Sequence, residues 1–552
     1  MRTIVSRIEH AAKGDGRITF MTGDEPLTRT WSELHEDART MAAALQARGV
    51  EPGHHVAILG PTTPLLVTAI QAVWLCRAAP VVLPLPMRLA SIEEFTASTK
   101  ARIHGADCVA VLIDADLAPF VEASPDDPPL YPLTDLAPDV VAETADDFIR
   151  PDYHEDDIFV LQFTSGSTSE PKGVTLPNHT VAANLDAILE AAEVDVDDDV
   201  MVSWLPLYHD MGLVGFCILP MSHGIDLVLG APQDFLASPG RWMEWISAYG
   251  GSATAGPNFS YVLATRALNR SKETLDLSRL RIALNGAEPV DPASVRAFIE
   301  AGERHGLRPG AVFPAFGMAE VAIAGCFPEP MAGLRTDIID AERLETEHLA
   351  VPVDADHPNA REIVLLGKPV PGLEFRIVDP ATGAERGERE VGELEIAGTS
   401  VMAGYYKRPD ADEASFRDGW FRTGDLAYMV DDQMVMCGRI KDVIIVGGRN
   451  VYPQDIERVV GDIEGIRAGN VIAFGVPGRN GKEKVVVVAE TRAEDLDRVR
   501  NEVSERSVAA VGVPASEVAL VRPSSLPKTS SGKLQRALCR QQFIDGGLDA
   551  VS

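Results

Sequence analysis

Residues 158–174 read Ile-Phe-Val-Leu-Gln-Phe-Thr-Ser-Gly-Ser-Thr-Ser-Glu-Pro-Lys-Gly-Val, an apolar run followed by a loop rich in hydroxyl groups and glycine. The apolar run predicts a buried strand that ends at Phe163. In the loop, glycine lets backbone N–H groups approach an anion, hydroxyl groups donate further hydrogen bonds, and Lys172 adds a positive charge. The stretch therefore predicts a strand that leads into a phosphate-binding loop.

The candidate phosphate contacts in this loop are Thr164, Ser165, Gly166, Ser167, Thr168 and Lys172. The loop is not of the Walker A type, because Lys172 follows a proline and precedes a glycine, so that no Gly-Lys-Ser/Thr opens a helix. A serine-rich linker is the alternative. Linkers do not usually stand between a buried strand and a second apolar run, which favours the phosphate-binding interpretation.

Apolar runs alternate with helical patterns over most of the chain, as in the strand-like residues 56–59 and the amphipathic residues 32–45. Such alternation is typical of an α/β architecture. Residues 123–157 interrupt it with a stretch rich in Pro, Asp and Glu, which predicts a surface connection.

A chain of 552 residues exceeds one core of ordinary size. We therefore expect a large N-terminal body of several subdomains, residues 1–437, followed by a small α+β domain, residues 438–552. The small domain has its own strand pattern at 485–489 and its own helix pattern at 496–511.

Composition narrows the class of function. The formal net charge of -32 disfavours nucleic acid or anionic lipid as a partner, because both repel an acidic surface. The excess is confined to the first 437 residues, which total -34, whereas residues 438–552 total +2. We expect no integral membrane segment, no secretory signal and a cytoplasmic location, because no apolar run approaches the roughly 18 residues of a membrane helix and the N-terminus lacks a signal pattern.

The cysteine and histidine spacings predict no zinc site and no disulfide framework. The six cysteines lie far apart in the sequence and are expected to be buried small hydrophobic residues. The twelve histidines include no HExxH pattern.

Three further segments, together with the phosphate loop, decide the family. They are Val-Ser-Trp-Leu-Pro-Leu-Tyr-His-Asp-Met-Gly at 202–212, Ala-Gly-Pro-Asn-Phe-Ser-Tyr at 255–261 and Asn-Val-Tyr-Pro-Gln-Asp at 450–455. From about Trp31 to Arg540 the chain resembles the adenylate-forming superfamily of acyl-CoA synthetases, luciferases and peptide-synthetase adenylation domains, and within it the fatty acyl-AMP ligases. The resemblance implies that ATP and Mg²⁺ convert a fatty acid into an acyl-AMP, which passes to an acyl carrier protein, and that the small domain is mobile.

Other segments have chemistry that agrees with this resemblance. Glu320 stands just past a glycine turn, and Mg²⁺ prefers one or two carboxylates together with substrate phosphates. Thr423-Gly-Asp425 is predicted to end a strand that begins with the aromatic residues Trp420 and Phe421, and an Asp there can accept hydrogen bonds from both ribose hydroxyl groups. A solvated surface glutamate is the alternative for Glu320, and a solvated charge cluster is the alternative for Arg439 and Lys441, whose roles follow below. The nucleotide-binding candidates that the resemblance adds are Asn285, Gly286, Ala287 and Glu288 for adenine, with an ordinary turn as the alternative, and Phe316, Gly317, Met318 and Ala319, where many superfamily members have Thr in place of Ala319.

The resemblance also implies roles for four charged or aromatic residues. Arg439 resembles the second ribose contact and Lys441 the interdomain hinge. Lys533, preferred over Lys528, corresponds to the lysine that enters the active site. His209 resembles a gating aromatic residue beside the acyl carboxylate, with a structural histidine as the alternative.

Two other functions remain open. An acyl-CoA synthetase would share every ATP contact, and the feature that separates the two is the insertion of residues 331–361, which resembles the one associated with failure to use coenzyme A. The apolar pattern of this insertion predicts that it packs on the large body; its members are Leu334, Ile338, Ile339, Leu344, Leu349 and Val351. A non-catalytic acyl-nucleotide binding module is expected to lack Lys533 or Glu320, and both are present.

Overall fold

A computed structural model describes residues 3–23, 25–86, 92–121, 124–164, 171–446, 449–478, 483–529 and 532–551. Helices and strands alternate through the large body, which confirms the predicted α/β class. The amphipathic pattern at 32–45 forms a helix whose start is fixed by a capping box between Thr30 and Glu33. The α-helices are Ile4–Ala11, Trp31–Ala47, Pro64–Leu75, Ile92–Gly105, Asn178–Ala191, Leu219–His223, Pro232–Ala237, Gly240–Tyr249, Asn258–Arg270, Pro292–Glu303, Ala341–Glu347, Pro409–Ser415, Pro453–Gly461, Leu496–Val511 and Arg536–Ile544.

The largest sheet of the body has seven strands, of which only the last runs antiparallel to its neighbour. Loops at the carboxyl ends of its parallel strands meet at one edge, where ligands of open α/β sheets bind. In spatial order the strands are Val312–Pro314, Ile282–Asn285, Ala253–Gly256, Val200–Ser203, Asp226–Leu229, Arg17–Phe20 and Leu27–Thr30.

A second, parallel sheet corrects the interpretation of residues 123–157. That stretch is not only a surface connection, because Leu130–Pro132 adds a strand and the Leu133 and Leu136 side chains are buried. These three residues are enough for an edge strand, because they pair with the neighbouring strand Cys108–Ile113. The order is Ala79–Val82, His55–Leu59, Cys108–Ile113 and Leu130–Pro132.

The strand that leads into the predicted phosphate-binding loop lies in a small antiparallel sheet. Ile158–Thr164 pairs with Lys172–Pro177, which pairs in turn with Gly404–Tyr405. Residues 165–170, between the first two strands, lie outside the described residues.

The rest of the body is antiparallel. Contrary to the prediction that a strand ends at Thr423–Asp425, the strand continues to Val430, because its second half pairs with Gln433–Arg439. This strand, Trp420–Val430, also pairs with Gly392–Gly398 and with Phe416–Arg417, and Gly392–Gly398 pairs in turn with Leu373–Val378. The smaller ladders are Phe316–Gly317 with Ala324–Phe327 and Lys368–Pro369, and Thr336–Asp340 with Ala360–Val364.

The buried clusters change near the proposed domain boundary. One cluster runs from Ile4 to Met434, whereas the first cluster of the small domain begins at Ile444. The strand Gln433–Arg439 crosses position 438, so the 3₁₀ turn Ile440–Asp442 separates the two parts. The small domain holds the ladders Ile444–Val446 with Arg449–Val451, and Ile466–Pro477 with Glu483–Thr491 and Glu517–Val521.

The insertion, residues 331–361, packs against the rest of the protein as its apolar pattern predicts. Ile339 and Leu344 are fully buried in a cluster that also contains Tyr428 of the body and Tyr452 of the small domain. The insertion is therefore an interdomain element and not a free loop.

Candidate active site

The two ends of the phosphate loop meet at the edge of the small antiparallel sheet. Thr164 is the last residue of one strand and is paired with Lys172, the first residue of the next. Ser165, Gly166, Ser167 and Thr168 lie outside the described residues. The Lys172 ammonium lies over the Tyr405 ring, 4.7 Å from its centroid, which is cation–π geometry.

Glu320 lies in a turn that requires glycine at its start. A Cβ on Gly317 would come within 1.9 Å of the Ile323 carbonyl oxygen, and the Met318 N–H donates to that same oxygen at 3.0 Å. Glu320 itself is only 8% exposed, and its Oε1 accepts a hydrogen bond from the Tyr405 hydroxyl at 2.9 Å. Burial raises the pKa of the Glu320 carboxyl, and the Tyr405 hydrogen bond opposes that rise.

The segment 285–288 is a tight turn at the carboxyl end of a buried strand. Ala287 has φ of 67°, and a Cβ on Gly286 would lie 2.8 Å from the Ala315 carbonyl oxygen. The Asn285 Oδ1 atom is buried and has no hydrogen-bond partner among the described residues. Such an acceptor suits an exocyclic amino group, as adenine has.

The Glu288 side chain closes this turn against the neighbouring helix. Its Oε1 accepts a hydrogen bond from the Phe259 N–H at 2.6 Å. Burial raises the pKa of the Glu288 carboxyl, with Lys533 and Lys528 opposing the rise. Phe316 and Ala319 flank the Glu320 turn, with Ala319 buried.

Asp425 and Arg439 face each other across a hairpin. They are paired in register, and the Arg439 Nε lies 2.9 Å from the Asp425 Oδ1. Asp425 is 2% exposed, so burial raises the pKa of its carboxyl while Arg439 and Lys441 lower it. The pair therefore presents a fixed acceptor and a fixed donor, the set that two ribose hydroxyl groups need.

Lys533 belongs to a closed turn and not to a flexible loop. The Thr529 N–H donates to the Lys533 carbonyl at 2.8 Å, and the Lys533 N–H donates to the Thr529 hydroxyl at 3.1 Å. Burial lowers the pKa of the Lys533 ammonium, and Asp210 and Glu288 of the large body oppose that shift. The Lys528 ammonium donates instead to Asn470 of the small domain at 2.6 Å.

His209 is paired with its neighbour in the sequence. Its Nδ1 contacts the Asp210 carboxylate, which also accepts a hydrogen bond from the Met211 N–H at 2.8 Å. Asp210 caps the π-helix Met211–Ile218 and is buried. The contact agrees with both interpretations of His209. It gives the imidazole a structural partner, and that partner, Asp210, also interacts with Lys533.

The insertion is bound to the small domain by charge as well as by apolar packing. Arg361 Nη1 lies 3.0 Å from Asp455 Oδ2, with both side chains buried, and Arg449 Nη2 lies 2.5 Å from Glu345 Oε2. The predicted hinge residue Lys441 lies in the turn between the two domains. Burial lowers the pKa of its ammonium.

The donor set fits a magnesium ion only in company with phosphate. Across the described residues, no group of three or more His, Cys, Asp or Glu side chains could hold a metal. Glu320 offers a single buried carboxylate, the hard oxygen ligand that Mg²⁺ takes alongside nucleotide phosphates.

All six cysteines are buried and unpaired, as the sequence predicts.

Two residues at this site, Tyr405 and Asp210, were not predicted from the sequence. Tyr405 contacts both Glu320 and Lys172, and Asp210 interacts with Lys533. Asp210 stands inside the quoted segment 202–212, where a buried acid next to a histidine could have been noted. Tyr405 follows Gly404 in a two-residue strand, for which the sequence shows no periodic signal.

Comparison with known proteins adds the family. A model described as AMP-binding enzyme matches residues 8–406. The chain is 36% identical over 416 residues to the medium-chain-fatty-acid–[acyl-carrier-protein] ligase JamA of Moorena producens (strain JHB), covering 72% of this chain and 70% of JamA. It is 32% identical over 557 residues to a Caulobacter vibrioides (strain NA1000 / CB15N) protein named as an acyl-CoA synthetase, covering 99% and 96%.

A solved structure is also similar to this chain over almost its whole length. It comes from work on fatty acyl-adenylate ligases of E. coli and L. pneumophila, and it superposes with a TM-score of 0.91 at 30% identity over 99% of this chain and 98% of that one. Within the described ranges, no helix is both long and apolar enough to cross a membrane.

Proposed function

The chain belongs to the family of AMP-binding enzymes, and on that premise we propose that it is a fatty acyl-AMP ligase. It activates a fatty carboxylic acid with ATP, forming acyl-adenylate and pyrophosphate, and transfers the acyl group to an acyl carrier protein. The names of the relatives support this choice of acid and acceptor.

One observation supports the proposal above the others. The small domain places the half-buried Lys533 beside charges of the large body, and Arg439, whose Nε lies 2.9 Å from Asp425 Oδ1, also interacts electrostatically with Lys533 and Glu320. One electrostatic network thus connects Lys533, the Glu320 carboxylate and the Asp425–Arg439 pair. A nucleotide whose phosphates, ribose and base need these three kinds of contact fits that network.

The chemical step needs no general base. A fatty carboxylate is ionised at neutral pH, so one of its oxygens can bond to the α-phosphorus of ATP directly. The bond from that phosphorus to the oxygen leading to the β-phosphate breaks, and pyrophosphate leaves. Lys533 neutralises charge at the α-phosphate, Asp425 and Arg439 hold the ribose, and Asn285 accepts from the adenine amino group.

Glu320 is the residue that would hold Mg²⁺, which supplies positive charge to the phosphates when bound. The hydroxyl groups of the phosphate loop and Lys172 hold the departing pyrophosphate in this proposal. His209 borders the acyl carboxylate in this proposal.

Transfer to a carrier requires the small domain to turn about Lys441, which lies in the turn Ile440–Asp442 between the two parts. The buried pair Arg361–Asp455 and the partly buried pair Arg449–Glu345 resist that turn, because separating the partners leaves their charges unpaired. The rotation that they restrict is the one that would present a coenzyme A site, whereas the phosphopantetheine arm of a carrier can enter by another route. The pairs therefore favour a carrier over coenzyme A. The less acidic small domain also repels an acidic carrier less than the body does.

The second candidate is a fatty acyl-CoA synthetase, which the Caulobacter relative favours. It differs only in the acceptor. The two functions are separated by product analysis with purified enzyme, ATP, Mg²⁺ and fatty acids of several chain lengths.

Acyl-AMP and pyrophosphate are expected in every case, with thioester on a holo-carrier protein and little or none on coenzyme A. Deleting part of residues 331–361 is expected to allow some acyl-CoA, with acyl-AMP formation as the folding control. Rapid acyl-CoA synthesis by the wild type would promote the synthetase, and no fatty acid-dependent pyrophosphate release would reject both candidates.

A further inference from the structure

Tyr405 joins two parts of the site that are far apart in the sequence. Its hydroxyl donates to Glu320 Oε1 at 2.9 Å, and its ring lies under the Lys172 ammonium at 4.7 Å. One side chain therefore contacts both the metal-type carboxylate and the lysine of the phosphate loop.

The backbone around Tyr405 is tied to the same two elements. The Met402 N–H donates to the Glu320 carbonyl at 2.8 Å, and the Tyr406 N–H donates to the Gly173 carbonyl at 2.8 Å. The Tyr405 N–H donates to Asp412 Oδ1 at 2.7 Å, which holds the residue from behind. The segment is thus a rigid bridge between the Glu320 turn and the strand that starts at Lys172.

We propose that Tyr405 is a positioning residue that fixes the Glu320 carboxylate for Mg²⁺ with its hydroxyl and fixes Lys172 for the phosphates with its ring. This inference rests on the proposed nucleotide chemistry of the site. A hydrogen bond to one carboxylate oxygen sets the plane of the carboxylate, and such supporting bonds typically change metal affinity by about 10–100-fold.

The hydroxyl and the ring can be separated by substitution. Tyr405→Phe removes the hydrogen bond to Glu320 and keeps the ring below Lys172. Tyr405→Leu removes both contacts. The neighbouring Tyr406 provides a matched control, since its hydroxyl donates to a different carboxylate, Asp107, at 2.8 Å, and Tyr406→Phe removes the same chemical group elsewhere.

The test measures binding, not turnover. Full-length protein is titrated calorimetrically with α,β-methylene-ATP, whose α–β bridge cannot be cleaved, over a series of Mg²⁺ concentrations and in EDTA. Tyr405→Phe is expected to raise the Mg²⁺ half-saturation about tenfold with unchanged affinity in EDTA. Tyr405→Leu is expected to weaken binding in EDTA as well, and Tyr406→Phe to match the wild type.

A double variant shows whether Tyr405 acts through Glu320. In a Glu320→Gln background, adding Tyr405→Phe should cause no further change in Mg²⁺ half-saturation, because the group it orients has lost its charge. Thermal melting of each variant reports folding separately.

The outcomes distinguish the inference from its premise. If Tyr405→Phe has the same Mg²⁺ half-saturation as the wild type, or if its effect persists in full in Glu320→Gln, the positioning role is wrong while the nucleotide site stands. If the wild type does not bind the analogue, or binds it equally well without Mg²⁺, the proposed nucleotide–magnesium site itself fails.

Discussion

At the scale of single residues, the proposed site depends on Lys533, which is half-buried and interacts with the Asp210 and Glu288 carboxylates of the large body. Removing the Lys533 ammonium takes away positive charge where the α-phosphate gains negative charge in the transition state. Lys533→Ala is expected to slow acyl-AMP formation by about a hundredfold, a loss of about 3 kcal/mol, with ATP binding largely retained.

Single-turnover pyrophosphate release measures this effect. Lys528→Ala is the control, because the Lys528 ammonium donates to Asn470 within the small domain. A Lys533→Ala rate within a few-fold of the wild type would remove Lys533 from the chemical step.

The charge state of Lys533 gives a pH prediction. Burial lowers the pKa of its ammonium, and the Asp210 carboxylate opposes that shift. Asp210→Asn removes the opposing charge and should lower this pKa further. Because the protonated lysine is the active form, the fall in adenylation rate with rising pH should occur at lower pH in the variant. Superimposable alkaline limbs would show that Asp210 does not control Lys533.

Residue types with a distinctive chemistry could be predicted from sequence, whereas their supporting contacts could not. Glu320, Asp425 and Lys533 stand in glycine-rich or basic segments that indicate ligand chemistry before any folding. Tyr405 lies 85 residues from Glu320 along the chain and meets it only through sheet pairing. No local pattern reports such a contact.

At the scale of elements, the turn Ile440–Asp442 connects the two domains and is the expected pivot. Proline fits the φ of a 3₁₀ turn but cannot follow a large change in φ. Lys441→Pro is therefore expected to leave acyl-AMP formation nearly intact and to block transfer to the carrier.

The two half-reactions are measured separately, with Lys441→Ala as the control that removes the side chain but leaves the backbone free. Equal loss of both half-reactions in Lys441→Pro would contradict the pivot.

The insertion contributes stability through its buried charge. Arg361→Ala leaves Asp455 buried without its partner, and we expect a loss of about 3–5 kcal/mol in the free energy of unfolding of the unit that contains the pair. Arg343→Ala, in the same insertion, breaks an exposed pair with Glu347 and should cost less than about 1 kcal/mol. Urea unfolding followed by tryptophan fluorescence compares them, and equal losses would contradict the interdomain role.

Strong periodicity predicted elements well, and tertiary pairing explains the errors. The helix pattern at 496–511 has the bounds of the observed helix Leu496–Val511. The strand expected to end near Asp425 continues because a later strand pairs with it. The strand Leu130–Pro132 was missed because its three residues stand among prolines and acids, and only the neighbouring strand Cys108–Ile113 makes it a strand.

At the scale of the whole molecule, the proposed site draws on residues of both domains. The base, ribose and metal-type residues belong to the body or its border, and Lys533 arrives from near the C-terminus. The net charge is -34 before residue 438 and +2 after it. The acidic body therefore repels the phosphates of ATP over most of its surface, and they are attracted only beside the basic groups.

The most direct test of acid adenylation follows an oxygen atom. A fatty acid labelled with ¹⁸O in both carboxyl oxygens is incubated with enzyme, ATP and Mg²⁺, and the acyl-AMP is cleaved at its acyl carbon with hydroxylamine. Attack of the carboxylate on the α-phosphorus predicts one ¹⁸O atom in the recovered AMP, with pyrophosphate released in equal amount. AMP without label, or label in a released phosphate, would contradict the account.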